Sequence, residues 1–515
     1  MINKNEEKVP KIDIKHSRIE INNYELGDFP KLEYLFSVWN PIYHTSFIKG
    51  IEYDADSKKL ILPRGMDIRM LKNTFMAEPF VDKVCDPFVN TNPIPIKYLA
   101  RDSRQLEILK FILGEDKYYY TKSKSQIAVN STTGSGKTFV TVAGICYNGS
   151  RAIIITSSTN WLNQWKDKIL EYTNLKEKDI YMIIGKGSLD KLIARNNPLE
   201  YQIFLASHST IRSFGDKNGW DKVEWLFKFL QCSMKVFDES HLYFDNMVKI
   251  DFHSNTKKTL YLTATPERSN KEEDIIYQEY FRNVPSISLF DEENDPHVNY
   301  IGLLYHSHPT AYDIRNFSRG KFNFDRNVYT DYVTGQDSFQ KLVCILIDMT
   351  LSMNGKILIY IGVNNSIIRV YDYILHEFPF LENHIGIYTT LATNKEEKEA
   401  ALQKKYILST TKSCGAAQDI PGLVCTIVLA EPFKSSVLAR QTLGRCRADN
   451  TLYIDCVDID SYRVKSYYKQ KKKVFLQYAK SCKEVYMDDN ELTARYRSIR
   501  AKYRGKKLMT IGNYD

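Results

Sequence analysis

Unbroken apolar runs, rather than alternating ones, mark most of the strands that this 515-residue chain predicts. Between about residues 98 and 290 they read SQIAVN, RAIIITSS, YQIFLAS, MKVFDES and KTLYLTAT, with stretches of helical spacing between them. A strand covered on both faces needs no polar side, so these runs predict a parallel sheet flanked by helices. A second series spans about 296–458: NYIGLLYH, KILIYIGV, HIGIYTT, KYILSTT, LVCTIVLAEP and TLYIDCVD. Two α/β domains in tandem are the expected core. Upstream, short apolar runs are broken by turns, as in KGIEYDADSKKLILPRG, where Asp54 to Ser57 form a hairpin turn. This part reads as a small α+β domain, ended by Pro93 and Pro95, which interrupt regular structure. The charged stretch 269–297 holds the connection between the two parallel-sheet domains, and after Asp460 the pattern is helical and basic. The expected domains are therefore 1–97, 98–290, 291–460 and 461–515.

Hydrophobic residues make up 43% of the chain and charged residues 26%, with 16 Pro and 23 Gly, which excludes wholesale disorder and collagen-like structure. Nine scattered cysteines never form CxxC, against a disulfide framework or a zinc ribbon. The polar start MINKNEEKVPKIDIKH and the lack of about 18 consecutive apolar residues lead to the expectation of a soluble cytoplasmic protein with no membrane partner. The net charge of +9 is concentrated: residues 461–515 hold 15 Lys and Arg against 5 Asp and Glu, leaving the rest near neutral. Clustered cations release counterions from a phosphate backbone, so this segment is either a polyanion-binding element or a solvated basic helix.

The strongest local signal is STTGSGKT, residues 131–138, between the strand-like Ile127-Ala128-Val129 and the helix-like FVTVAGICY. Small residues let the backbone curl so that its N–H groups point inward, and the following helix N-terminus favours an anion. Thr133, Gly134, Ser135 and Gly136 would line such a phosphate cradle. Lys137 would reach the β- and γ-phosphates, and Thr138 would ligate Mg²⁺ through its hydroxyl. Ser131 stands where the pattern GxxxxGK[ST] has its first glycine. About 100 residues on, the strand MKVF ends in Asp238-Glu239-Ser240-His241. A carboxylate at the carboxyl end of a neighbouring parallel strand is placed to hold Mg²⁺, with Glu239 beside it to orient or deprotonate water. Taken alone, an Asp-Glu pair there also reads as a loop start or a helix cap.

Together these elements resemble the DExH branch of the superfamily 2 helicases, over most of residues 98–460. That resemblance implies two RecA-like motor domains, an ATP-dependent activity and a nucleic-acid partner. Gln105 in ARDSRQLEILKFI resembles the upstream glutamine that reads adenine. IIITSSTNWLNQW resembles motif Ia, which implies backbone contacts from Thr156, Ser157, Trp161 and Gln164, and FLASHSTI adds Ser207. YLTATP resembles motif III, with Thr263 and Thr265 as coupling residues. His241 would link the nucleotide to motif VI. STTKSCGAAQDIPGL resembles motif V, giving Thr411 to nucleic acid and Asp419 to the nucleotide. QTLGRCR resembles motif VI, with Gln441 at the nucleotide, Arg445 as the arginine finger and Arg447 as a second. Here Ala417 stands two before Asp419 where the family has glycine, and the second arginine of motif VI comes one residue early.

The flanks resemble the phage UvsW family of branched-DNA helicases, on residues 36–75 and on SYYKQKKKVFLQYAKSCKEVY. This implies a small nucleic-acid-binding N-terminal domain and a basic helical C-terminal tail. In the tail Tyr467 lies beside Lys471, Lys472 and Lys473, a pairing suited to stacking and phosphate contact. The expected output is ATP- and Mg²⁺-dependent translocation by a monomer on single-stranded or branched DNA, in recombination or repair, within a host cytoplasm if the source is viral. ATP would sit between the two motor domains. RNA-directed transcript release of the poxvirus type and a non-catalytic nucleic-acid scaffold are the alternatives.

Overall fold

The computed structural model describes residues 10–503, apart from 41–44, 82–91, 117–119, 132–135, 158, 241–243, 264–270, 290–297, 320–322, 390–394, 415–419, 435, 444–445 and 447–449. The chain forms two units, Met1–Asp291 and Glu292–Asp515. Among the described residues no helix is long and apolar enough to cross a membrane.

In the first unit the apolar runs form a seven-stranded parallel sheet. Its order is Ile180–Ile183, Ile203–Ser207, Ala152–Thr156, Met234–Phe237, Lys258–Thr263, Gln126–Ser131 and Ser286–Leu289. Successive side chains point to opposite faces, so each strand feeds two apolar clusters. Ile127, Val129, Ile154, Leu205 and Val236 pack beneath the helices Ser103–Leu113, Lys137–Tyr147 and Thr159–Tyr172. Ala128, Ile153, Ile155, Phe204 and Phe237 face the other way, into a cluster that continues into the N-terminal domain through Ile12, Ile19, Leu60 and Leu71.

That domain is a five-stranded mixed sheet in the order Glu52–Asp54, Lys59–Pro63, Arg18–Asn22, Lys11–Ile14 and Pro79–Val81. The expected hairpin is present. Asp54 accepts hydrogen bonds from Ser57 Oγ at 2.5 Å and Asp56 N at 3.1 Å, which closes the turn between Glu52–Asp54 and Lys59–Pro63. Polar contacts also tie this sheet to the seven-stranded sheet and its helices. Arg18 pairs with Glu20 at 2.6 Å and Glu224 at 3.3 Å, and it donates to the Phe252 carbonyl. Deeper, Lys235 and Asp251 are both fully buried and paired at 2.5 Å. Asp251 accepts further bonds from Tyr261, Tyr280 and Gln126, and Gln126 Nε2 also donates to the Ser17 carbonyl at 3.2 Å. Burying a charge pair is tolerated only when its remaining valences are filled in this way.

The second unit repeats the parallel sheet in the order Ile385–Tyr388, Tyr406–Ser409, Lys356–Ile361, Leu423–Ala430, Leu452–Asp458, Asn299–Tyr305 and Ser481–Tyr486. The last strand corrects the expectation of a purely helical tail. After the helix Tyr462–Tyr478, the chain returns to the sheet and pairs in parallel with Asn299–Tyr305. The helix Asp489–Tyr503 then packs on Asp337–Leu351, burying Leu492 and Ile499. Helix Tyr462–Tyr478 is itself part of this core: Phe475 stacks on Tyr300 with centroids 4.0 Å apart. Gly302 makes room for Tyr468, whose hydroxyl lies 2.3 Å from where a Cβ would stand. SCKEVY escaped the sequence reading because it is six residues long and half-exposed, and the strand it pairs with lies far upstream.

Candidate active site

The carboxyl ends of adjacent parallel strands share one edge of the first sheet, where peptide groups are left over to bind ligands. Strand Gln126–Ser131 leads through residues 132–135 to Gly136, the N-cap of helix Lys137–Tyr147. Gly136 has φ +90°, and a Cβ there would come within 2.1 Å of Gln105 Nε2. The left-handed backbone favours glycine there, and its missing side chain lets Gln105 lie against it. Gln105 is buried on helix Ser103–Leu113, which Asp102 caps by accepting from Gln105 N at 2.8 Å, and its Oε1 accepts from Arg101 N at 2.9 Å. The expected adenine reader and the end of the phosphate loop therefore touch.

Asp238 follows strand Met234–Phe237, two places across the sheet from Gln126–Ser131. The turn is fixed from both sides, with Asp238 N donating to the Ile155 carbonyl at 3.0 Å and Ser240 N to the Leu262 carbonyl at 2.9 Å. One carboxylate oxygen of Asp238 accepts from Trp165 Nε1 at 2.7 Å and the other from Glu239 N at 3.0 Å. Burial, reinforced by the Glu239 charge, raises the Asp238 carboxyl to about 6 against the opposing effects of the Trp165 bond and the Lys137 ammonium. Glu239 is buried and holds a left-handed φ of +49°, a strained state for a non-glycine residue. Thr263, buried at the end of the intervening strand, completes this edge.

These groups fit a magnesium nucleotide. A half-buried carboxylate whose charge burial opposes, a hydroxyl on the first helical turn and an ammonium at the same helix N-terminus suit a hard cation and its phosphate oxygens. Trp165 was not singled out by the sequence. The run NWLNQW places it on the same helix as Trp161 and Gln164, but its bond to Asp238 joins residues 73 apart.

Several of the expected nucleic-acid contacts fall on buried or paired side chains. Thr156 is fully buried, and Ser207 is buried with its Oγ capping helix His208–Asn218 by accepting from Thr210 N at 3.2 Å. Neither hydroxyl faces solvent. Ser157, Trp161 and Gln164 are half-buried on the following turn and helix. In the second unit, Thr411 is buried and donates through both N, at 2.8 Å, and Oγ1 to Glu431, a carboxylate the sequence did not single out. Lys471 is buried and paired with Asp455 at 2.7 Å, so it serves the core. Lys472 pairs with Glu484 at 2.8 Å, Tyr467 packs edge-on to Phe324, and Lys473 is exposed. Thr133, Gly134, Ser135, His241, Thr265, Asp419, Arg445 and Arg447 lie outside the described residues, and Gln441 lies on helix Ser436–Leu443.

The family described as type III restriction enzyme, res subunit, matches residues 98–268, which span the whole of this site. A Rad25 protein of Haloarcula marismortui, described as a DNA 3'-5' helicase, is 28% identical over 144 residues, 28% of this chain and 20% of the relative. The match thus spans a fifth of that helicase relative's length. In solved structures, Mss116p bound to single-stranded RNA and AMP-PNP shares the fold: 77% of this chain and 76% of that one align at 14% identity, with a TM-score of 0.52. T4 UvsW aligns over 92% of this chain and 99% of its own at 15% identity, with a TM-score of 0.35.

Proposed function

We propose that the chain is a nucleic-acid-stimulated ATPase that converts ATP hydrolysis into translocation on DNA, with single-stranded or branched DNA as its substrate. The observation that carries this reading is the meeting of Gln105, Gly136, Lys137, Asp238 and Glu239 at one sheet edge. The DNA preference is supported by the restriction-subunit family and by the Rad25 relative, whose description names a DNA helicase.

In this reading Lys137 binds the β- and γ-phosphates at the helix N-terminus, and Thr138 and Asp238 hold Mg²⁺. The bound ion neutralises phosphate charge as it builds up. Gln105 meets the adenine edge. Glu239 orients the attacking water and accepts its proton, a role its burial suits. We assign to Arg445, with Arg447 second, the positive charge that phosphoryl transfer needs beyond the ion. Branch selection, unwinding, strand reannealing and a role in phage-type recombination or repair are the finer part of the proposal. They rest on the resemblance of residues 36–75 and 466–486 to the UvsW family.

The test is steady-state ATP hydrolysis by the full chain, alone and with single-stranded DNA, forked DNA, duplex DNA or single-stranded RNA. Stimulation greatest with forked or single-stranded DNA, and reduced about a hundredfold or more in Lys137→Ala, is expected. Greatest stimulation by RNA overturns the DNA assignment. No hydrolysis with any of them, with nucleic-acid binding intact, overturns the motor and leaves a scaffold.

A further inference from the structure

The amino-terminal edge of the same sheet carries a second concave site. Residues 64–69 of the N-terminal domain and residues 123–126 and 283–285 of the motor domain bound a cavity of about 500 Å³. Gln126 opens the strand whose other end leads to the phosphate loop, and Pro285 precedes the parallel strand beside it. Six residues of strand separate the two edges by roughly 17 Å, so a ligand here is not the nucleotide held by Lys137.

The lining is cationic. Arg64, Arg69 and Lys124 contribute to it, and the single acidic lining residue, Asp67, is engaged as the N-cap of helix Ile68–Phe75, accepting from Arg69 N at 2.9 Å. Arg64 Nε donates to the Lys15 carbonyl at 2.9 Å. Its terminal nitrogens, and the side chains of Arg69 and Lys124, have no hydrogen bond or ion pair among the described residues. Burial pulls the half-buried Arg64 guanidinium below its usual range, and no acidic neighbour offsets it.

A half-buried cation without a counter-charge is costly, and folded chains keep one where an anion completes it. The walls are also held in place before any ligand arrives. Asn283 donates to the Gly65 carbonyl through N at 2.9 Å and Nδ2 at 3.1 Å. A Cβ on Gly65 would lie 2.3 Å from the Tyr280 carbonyl, so this loop sits directly on the motor domain. Gln126 is locked into the buried Asp251 network. Two guanidinium forks and an ammonium around a preset opening match the oxygens of a phosphate group.

We propose that this cavity is an accessory phosphate site that holds a backbone phosphate of the nucleic acid on which the motor acts. It rests on the function proposed above for its ligand, and on the cavity for its location. It makes the junction of N-terminal and motor domains a grip on the substrate that does not depend on bound nucleotide.

The experiment is fluorescence anisotropy of a labelled DNA fork with the full chain over a series of salt concentrations. It compares wild type, Arg64→Gln, the exposed pair Arg69→Gln/Lys124→Gln, and Lys137→Ala. Each phosphate contact removed is expected to weaken binding about three- to tenfold and to lower the slope of log affinity against log salt by about 1, regardless of sequence. ATP hydrolysis without DNA should be unchanged in the exposed pair, and Lys137→Ala should bind the fork as wild type does. Wild-type affinity and salt slope in the exposed pair overturn the site while leaving the motor reading intact. Inorganic phosphate that raises the melting temperature of wild type but not of the exposed pair, with no effect of the fork on that shift, assigns the cavity to a free anion and overturns the nucleic-acid ligand. A wild-type chain that binds neither DNA nor RNA removes the function proposed above together with this one.

Discussion

One indole N–H helps fix the carboxylate on which the metal site is proposed to depend. Trp165 is buried on a helix, and its donation to Asp238 at 2.7 Å holds one carboxylate oxygen while the backbone of Glu239 holds the other. Trp165→Phe keeps most of the buried ring and removes this bond. A hydrogen bond to a charged group is worth about 1.5–3 kcal/mol, so Mg²⁺-dependent nucleotide binding should weaken at least about tenfold. Mn²⁺ binding followed by electron paramagnetic resonance checks this apart from turnover, and the melting temperature should move little. The candidate site was legible because its pattern is local: a phosphate loop needs its glycines and lysine in sequence, and Asp238-Glu239 follows a visible strand. The support from Trp165 and the engagement of Thr411 by Glu431 were not legible, since each joins residues that only the sheet brings together.

At the scale of the element, the run Lys471-Lys472-Lys473 shows what a charge count leaves out. Three successive positions on a helix point in different directions. Lys471 turns inward to Asp455 and lies 4.4 Å from the ring centre of Phe433, Lys472 is held by Glu484, and Lys473 faces solvent. Lys471→Ala strands the buried Asp455 carboxylate and should cost the second unit about 3–5 kcal/mol in urea denaturation. Lys473→Ala should stay within about 0.5 kcal/mol of wild type. The strands themselves were readable because both sheets are buried on both faces. Ser481–Tyr486 was missed for the opposite reason, being an edge strand with a solvated side.

Over the whole molecule, the N-terminal sheet was expected as a domain beyond a proline-bearing linker, and the structure merges its core with that of the first seven-stranded sheet. Ile12, Ile19 and Leu62 lie in one apolar cluster with Phe204, Phe237 and Tyr280. Composition could locate the boundary in sequence but not the surface shared across it. Removing residues 1–97 should therefore expose that face and loosen the Lys235–Asp251 network, which uses Gln126, a residue bonded to Ser17. The truncated chain should melt well below the intact one and be cut by protease within the first seven-stranded sheet, rather than survive as a free-standing domain. Differential scanning fluorimetry and limited proteolysis check both.

The strand Asn299–Tyr305 opens the second sheet, yet its two neighbours there are Leu452–Asp458 and Ser481–Tyr486. The side chains of Asn299 and Ser481, which meet across it, are 182 residues apart in sequence. During synthesis this strand leaves the ribosome before either neighbour and must wait, with both edges unpaired, until residues 452–486 have been made. At about 5–20 residues per second that wait lasts on the order of ten to forty seconds. The second sheet therefore closes only once residues 452–486 have been made, and a nascent chain stalled before residue 452 offers two open strand edges to chaperones or to other nascent chains.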